Sequence, residues 1–348
     1  MVTLTSVTTG STQKFCHESS TFSIWSRRSF WLGILSLLVV LLKETSDSGD
    51  EVLSSLTAHK IPPLSQDSEY FPSRCIDPDD RSEMPTLPFE SKNSGRPCQC
   101  QDPTQAAQRE ATIWDKHHET LVQITGQNGS VLALSSPDVV FLGDSITERM
   151  MGTGHMGTRE YPASKAVFDR HFNKEDGTLV SLRGLALGSS GDTSPELLWH
   201  LENGLIPPTL RPKVWVLLVG TNDLGRAGCS KRTALAGILN AAHHLNAQQP
   251  ETPLVIHGLL PRSQDKSSSK LGRYWVQIQW INSELKRIVA RQPNWHYIDS
   301  QHIFLQDEFD INAKLLPDGL HPNAEGYDLW LPLIAHQVSE IILRRDPS

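Results

Sequence analysis

From about Pro137 to the C-terminus, two hydrophobic patterns alternate along the chain. One is a short apolar run that stops abruptly at glycine or polar residues, seen at Asp138–Leu142, Ser181–Leu187, Val214–Val219, Leu254–Leu259 and Trp295–Ile298. Runs of this length bounded by turn residues predict strands buried on both faces, as in a parallel sheet. The other is a longer stretch whose apolar residues recur every three or four positions. It predicts helices at Ser194–Leu201, Lys231–Leu245, Leu271–Ala290 and Ala324–Leu343. Within Leu271–Ala290, Leu271, Trp275, Ile278, Leu285 and Ile288 share one apolar face, so its tryptophans are expected in the core rather than against a ligand. Strands alternating with helices predict an α/β fold, a parallel sheet covered on both faces, filling one domain over residues 137–348.

Upstream the pattern changes. Phe30 to Leu42 is apolar apart from Gly33 and Ser36, preceded by Arg27-Arg28 and followed by Lys43-Glu44. It is shorter than the roughly 20 residues of a spanning helix and matches the core of a signal peptide or a short signal anchor. With no small-residue cleavage site after Leu42, the expectation is an uncleaved anchor (30–42) behind a cytoplasmic tail (1–29), with the catalytic domain in the secretory lumen or outside the cell. Secretion after cleavage is the alternative. Residues 43–103, rich in Ser, Asp, Pro and Glu, read as a low-order stalk. Residues 104–136 read as a lead-in: an amphipathic helix from about Thr104 to Thr125, then Asn128-Gly129-Ser130. That tripeptide fits the glycosylation pattern but is read as a turn.

Composition narrows the classes. The chain of 348 residues carries a formal charge of −7 and has no basic run longer than a pair such as Arg27-Arg28 or Arg344-Arg345, so nothing marks it for nucleic acid. Four of its five cysteines (Cys75, Cys98, Cys100 and Cys229) follow the apolar segment, and Cys16 precedes it. Cys98 and Cys100 are too close to bridge, so each is expected to pair elsewhere, with Cys75 and Cys229 as candidate partners. Reduced thiols in a loose linker are the competing reading.

The chemistry-bearing residues stand at the ends of the apolar runs. Gly143-Asp144-Ser145 closes the first, Gly188-Ser189-Ser190-Gly191-Asp192-Thr193 follows the second, and Gly220-Thr221-Asn222-Asp223 follows the third. Asp318-Gly319-Leu320-His321-Pro322 precedes the last helix. Carboxyl ends of parallel strands are where open α/β sheets bind ligands, so these stretches could converge on one edge. The residue types fit nucleophilic acyl transfer. Ser145 needs a base, His321 can serve as that base, and Asp318 can fix its tautomer and stabilise the imidazolium. The oxyanion formed on attack needs donors already aimed at it: the Ser145 and Gly191 backbone N–H groups and the Asn222 side-chain amide.

These four stretches, in this order, resemble the four blocks of the SGNH (GDSL-type) hydrolases. Leu198-Trp199-His200-Leu201-Glu202-Asn203-Gly204, Arg211-Pro212-Lys213 and Gly258-Leu259-Leu260-Pro261-Arg262 are similar to the catalytic subunits of platelet-activating factor acetylhydrolase. The resemblance implies a flavodoxin-like three-layer α/β/α sandwich with a five-stranded parallel sheet. It also implies ester hydrolysis without cofactor or metal, with Ser145, His321, Asp318, Gly191 and Asn222 in the roles above. Two departures bear on it. Ala186 stands five residues before Gly191, where such hydrolases often carry Asn, which predicts a looser loop. The segment between Ser145 and Gly191 is also longer than in the acetylhydrolases, which bears on their lipid substrate.

Other motifs read as decoys. Gly152-Thr153-Gly154-His155-Met156-Gly157 has the dinucleotide spacing but not the strand-to-helix context, and is expected to be a mobile loop bordering the pocket. His117-His118 and His243-His244 are expected to be solvated helix residues, because adjacent helical side chains cannot chelate one ion together. His155 lacks an aspartate placed like Asp318. Asp144, Asp192 and Asp223 are read as loop-fastening carboxylates. The expected activity is a serine esterase acting on short, acetyl-like esters of a glycan, lipid or small molecule. An O-acyltransferase acting on glycans and a non-catalytic glycan-binding protein are the alternatives. The partners expected are the ester substrate, the membrane through the N-terminal segment, and a second copy of the chain as an option.

Overall fold

The structure, a computed structural model, describes residues 100–127, 137–173, 182–263, 269–308 and 310–345. The expected tail and anchor, almost all of the stalk, Cys16, Cys75, Cys98 and the Asn128-Gly129-Ser130 turn lie outside the described residues. Among the described residues, no helix is long and apolar enough to cross a membrane.

Five strands form one parallel sheet: β1 (Val139–Gly143), β2 (Gly184–Gly188), β3 (Val214–Leu218), β4 (Leu254–His257) and β5 (Trp295–Ile298). Their order is β2-β1-β3-β4-β5, with Phe141 of β1 in register between Ala186 and Val216. Every residue of β1 and β3 is buried. That is why these strands read as unbroken apolar runs: both faces of the sheet are covered. The strand expected from Ser181 begins at Gly184. Just before it, the Arg183 N–H donates to the Asp138 carboxylate (2.9 Å), outside the ladder.

Among the described residues the α-helices are α1 (Thr112–Val122), α2 (Ser145–Met150), α3 (Pro162–Phe172), α4 (Ser194–His200), α5 (Thr221–Gly225), α6 (Lys231–Gln248), α7 (Gly272–Val289) and α8 (Ala324–Arg345). Right-handed crossovers decide their sides. The step from β1 out to β2 carries α3 to one face, where it packs on α8. The chain then turns back past β1, so α4, α6 and α7 cover the opposite face, with α4 against α6 and α6 against α7. The result is the three-layer α/β/α sandwich. On α7, Leu271 at the cap, Ile278, Ile281, Leu285 and Val289 are buried, and Trp275 and Trp280 pack partly buried against the same core.

Besides the short helices α2 and α5, which the sequence pattern does not predict, two longer elements differ from it. Helix α3 is absent from the periodicity because its inward residues, Val167, Phe168 and Phe172, are too few to mark a face, and Pro162 in its first turn starts it instead. The lead-in helix is shorter than expected. Residues 104–111 are not helical, because their polar groups are committed elsewhere: Asp102 accepts from the Thr104 N–H (2.8 Å), and the Ala107 N–H donates to the Pro195 carbonyl (3.0 Å).

Candidate active site

The strand order fixes where a crevice can open. Connections leave β1 in one direction and β3 in the other, so the gap lies at the carboxyl ends of β1 and β3. Ser145 follows β1, Asn222 follows β3, and the Ser189–Gly191 turn follows β2 beside them. Ser145 is the first residue of α2, and the Asp144 side chain caps that helix by accepting from the Ile146 N–H (2.9 Å). The approach is close. A side chain at Gly143 would run into the Leu218 carbonyl, and one at Gly188 into the backbone of Asp144 and Glu148.

Ser145 Oγ lies 2.8 Å from His321 Nε2, and His321 Nδ1 lies 2.8 Å from Asp318 Oδ2. With Asp318 accepting from Nδ1–H, Nε2 is left as the acceptor for the serine hydroxyl. The other Asp318 oxygen accepts the N–H groups of Leu320 (3.2 Å) and His321 (2.8 Å), and Gly319 at φ +70° makes the turn possible. Tyr327 Oη donates to the Ile146 carbonyl (2.7 Å), tying the helix that follows His321 to the helix that starts at Ser145. Burial works against ionisation of Asp318, but hydrogen bonds from the His321 side chain and backbone, together with Arg149, outweigh it and hold the carboxyl well below the usual carboxylate range. Burial lowers the His321 pKa. The Asp318 bond pulls the other way, Arg149 adds to the lowering, and the net position is below the ordinary imidazole value. A neutral imidazole is the form that can accept a proton.

Gly191 adopts φ +84°, a conformation that costs glycine nothing. Among the described residues, its N–H has no protein acceptor. The loop around it is not loose, contrary to what Ala186 suggested. Ala186 is simply buried in β2, and the fastening comes from elsewhere in the chain. Arg109 Nη1 donates to the Ser190 carbonyl (3.1 Å), Arg226 Nε to the Gly191 carbonyl (2.8 Å), and the Ser190 N–H to Glu148 Oε2 (2.8 Å). His117 Nε2 lies 2.8 Å from the Gly188 carbonyl. Asp192 is buried and accepts from Trp114 Nε1 (2.8 Å), Arg109 Nη2 (2.8 Å) and Ser189 Oγ (3.0 Å). Asn222 Nδ2 donates to the Asp192 carbonyl (3.1 Å) and reaches Asp144 Oδ2 (3.3 Å), which orients its amide. Burial pushes the Asp144 carboxyl up to about 7, despite the Ile146 N–H it accepts. Burial also pushes Asp223 up to about 6, although its carboxylate accepts from the Ser194 hydroxyl and N–H.

Sequence reasoning overlooked Arg109, Trp114, Glu148, Glu196 and Arg226, which carry no motif. The only available signal was negative: a lead-in helix whose Trp114 and His117 had no other element to pack on. Two decoy readings need correction. His117 is buried, and His118 Nδ1 lies 2.7 Å from His200 Nδ1, so neither is simply solvated. His243 is exposed, beside the Trp295 ring at 4.9 Å. The Gly152–Gly157 loop, expected to be mobile, is tied down: Glu148 accepts from the Met156 (3.2 Å) and Gly157 (2.8 Å) N–H groups, and His155 N–H donates to Ser190 Oγ (2.9 Å). Among the described residues, no three His, Cys, Asp or Glu side chains cluster as metal ligands. Of the cysteines, Cys100 is bonded to Cys229.

Residues 141–329, more than half of the chain, match the family described as the GDSL-like Lipase/Acylhydrolase family. Platelet-activating factor acetylhydrolase IB subunit alpha1 of Bos taurus is 28% identical over 191 residues, spanning 55% of this chain and 70% of that protein. The alpha2 subunit of Gallus gallus is 27% identical over 213 residues, spanning 61% of this chain and 80% of its own. Among solved structures, a GDSL-like lipase from Bacteroides thetaiotaomicron overlays with a TM-score of 0.48 at 19% identity, covering 66% of this chain and 98% of that one.

Proposed function

The chain belongs to the GDSL-like lipase/acylhydrolase family, and from that premise we propose that this ester hydrolase uses Ser145 as its nucleophile, His321 as general base and acid, and Asp318 to hold the imidazole. Ser145 Oγ attacks the ester carbonyl while His321 Nε2 takes its proton. The Gly191 and Ser145 N–H groups, with one N–H of Asn222, face the oxygen that becomes negative. Asn222 Nδ2 also donates to the Asp192 carbonyl (3.1 Å) and reaches Asp144 Oδ2 (3.3 Å), contacts that fix where the amide sits. His321 then gives its proton to the leaving alcohol, and water repeats the cycle on the acyl-enzyme to release the acid. The observation that carries this reading is the unbroken chain from Ser145 Oγ through His321 to Asp318, both links at 2.8 Å.

For the substrate we propose a short acyl group, acetyl-like. Relatives named for acetyl hydrolysis point that way. The Cys100–Cys229 bond supports a catalytic domain in an oxidising lumen or outside the cell, held there by residues 30–42. The test is a panel of esters from acetyl to long acyl, on nitrophenyl, sugar and phospholipid alcohols, run with wild type and Ser145→Ala. Ser145-dependent turnover that falls with acyl length is expected. Turnover that survives the substitution would overturn the mechanism, and a preference for long chains would overturn the substrate class. Adding free sugar with a labelled acyl donor separates hydrolysis from acyl transfer to a hydroxyl.

A further inference from the structure

Arg109 lies upstream of the family match, in the non-helical part of the lead-in, yet its guanidinium is half-buried against the loop that carries Gly191. Three of its contacts matter. Nη1 donates to the Ser190 carbonyl at 3.1 Å, Nη2 to Asp192 Oδ1 at 2.8 Å, and Nε to Glu196 Oε1 at 3.2 Å. Glu196 is itself buried, and its other oxygen accepts from Arg109 Nη2, from Arg226 Nη2 and from the Thr193 N–H. One buried carboxylate therefore sets two guanidinium groups side by side. Arg109 caps the carbonyl before Gly191, and Arg226 caps the carbonyl of Gly191 itself.

The Ser190 carbonyl and the Gly191 N–H belong to the same peptide group. That group is planar and trans, so its C=O and N–H point in opposite directions. A donor fixed on the carbonyl therefore fixes the heading of the N–H and blocks the peptide rotation that a glycine at positive φ would otherwise allow cheaply. A cationic donor also draws electron density toward the carbonyl oxygen, which makes the opposite N–H a stronger donor. We propose that Arg109, set by Glu196, is a positioning residue for the oxyanion: it aims and polarises the Gly191 N–H without touching the substrate. The assignment rests on the reading of Gly191 as an oxyanion donor. It gives the lead-in a part in the reaction that the hydrolase core alone does not supply. The Cys100–Cys229 bond ties that lead-in to the core three residues beyond Arg226.

The experiment compares wild type with Arg109→Ala and Arg109→Lys on nitrophenyl acetate. It also measures inhibition by a short alkyl boronic acid, which forms a tetrahedral adduct on an active serine. Expected for Arg109→Ala is a kcat lower by about 10- to 100-fold, the scale of a misplaced reacting group, with KM within about twofold. Boronate affinity should fall by a similar factor, and added guanidinium at non-denaturing concentration should restore part of kcat. Lysine keeps the charge but lacks the planar fork that reaches the Ser190 carbonyl, Asp192 and Glu196 from three separate nitrogens, so its kcat should fall between the two. If the alanine variant does not fold, the lysine variant decides by the same kcat and boronate criteria. The proposal is overturned if kcat stays within about twofold of wild type, or if kcat falls while boronate affinity is unchanged and guanidinium restores nothing. Absence of Ser145-dependent turnover in the wild type itself would instead condemn the underlying esterase reading.

Discussion

The two halves of the candidate site are built in opposite ways. The nucleophile half is short-range where it can be: Asp318 and His321 sit three residues apart in one turn, and that turn meets Ser145 through one hydrogen bond. The oxyanion half draws on the whole chain. Its loop is held by Arg109 and Trp114 from the lead-in, by Glu148 from α2, and by Arg226 after α5, with two buried carboxylates, Asp192 and Glu196, as hubs. The nucleophile half can be recognised as a motif because Ser145 and the Asp318–His321 pair each sit in a short block of fixed composition, although the two blocks are 176 positions apart. The oxyanion half is visible as a motif only at Gly191 and Asn222, and its stiffness comes from residues that no local pattern announces.

Substitutions should separate the halves by size. The largest effect is expected in the nucleophile half, where Ser145→Ala and His321→Ala should each lower kcat by at least about 10³-fold with folding intact by circular dichroism. In the oxyanion half, Asn222→Ala should lower kcat by about 10²- to 10³-fold, the cost of one such donor, with little change in KM. A pure KM effect would remove Asn222 from that role.

Breaking the Cys100–Cys229 bond by reduction, or by replacing both cysteines with serine, should act on the oxyanion half alone. The bond closes a loop of 129 positions, and bonds of this kind stabilise a fold by about 2–4 kcal/mol. A lower melting temperature is expected together with a partial loss of kcat. Unchanged kcat in the folded, reduced protein would show that the lead-in needs no covalent tie to hold the loop.

The smallest effect tests the electrostatics of the nucleophile half. His321 must be neutral to accept a proton, and its pKa lies below the ordinary 6.5. Activity should therefore be lost only as pH falls through a midpoint below that value, and kcat/KM should be flat above it. Arg149 lies 3.5 Å from Asp318 and disfavours the imidazolium, so Arg149→Gln should move the midpoint upward. A downward shift would contradict that account.

Most of the fold was legible in the sequence because β1 and β3 are covered on both faces, and a strand buried on both sides cannot avoid being an unbroken apolar run. Strand ends were less legible. The run from Ser181 enters the ladder only at Gly184, where the backbone is freed from Asp138. Helix α3 escaped notice because it buries too few large residues to set a period. At the site, Ser145, His321, Asp318, Gly191 and Asn222 could be picked out because each sits in a short block of fixed composition. Arg109 and Glu196 could not. They are 87 positions apart and meet only through the tertiary fold, and a lone arginine in a polar lead-in looks like any solvated charge. The same blindness explains the wrong expectations for Ala186 and for the Gly152–Gly157 loop: each was judged from its neighbours in sequence, and each is decided by partners in space.

The most direct measurement of the central claim is covalent labelling with a fluorophosphonate ester, read by peptide mass. If both halves converge on one serine, the wild type should carry a single label on the peptide containing Ser145. His321→Ala and Arg109→Ala should label more slowly, and Ser145→Ala not at all. A label on a different residue, or full ester turnover by a protein that leaves Ser145 unmodified, would contradict the account.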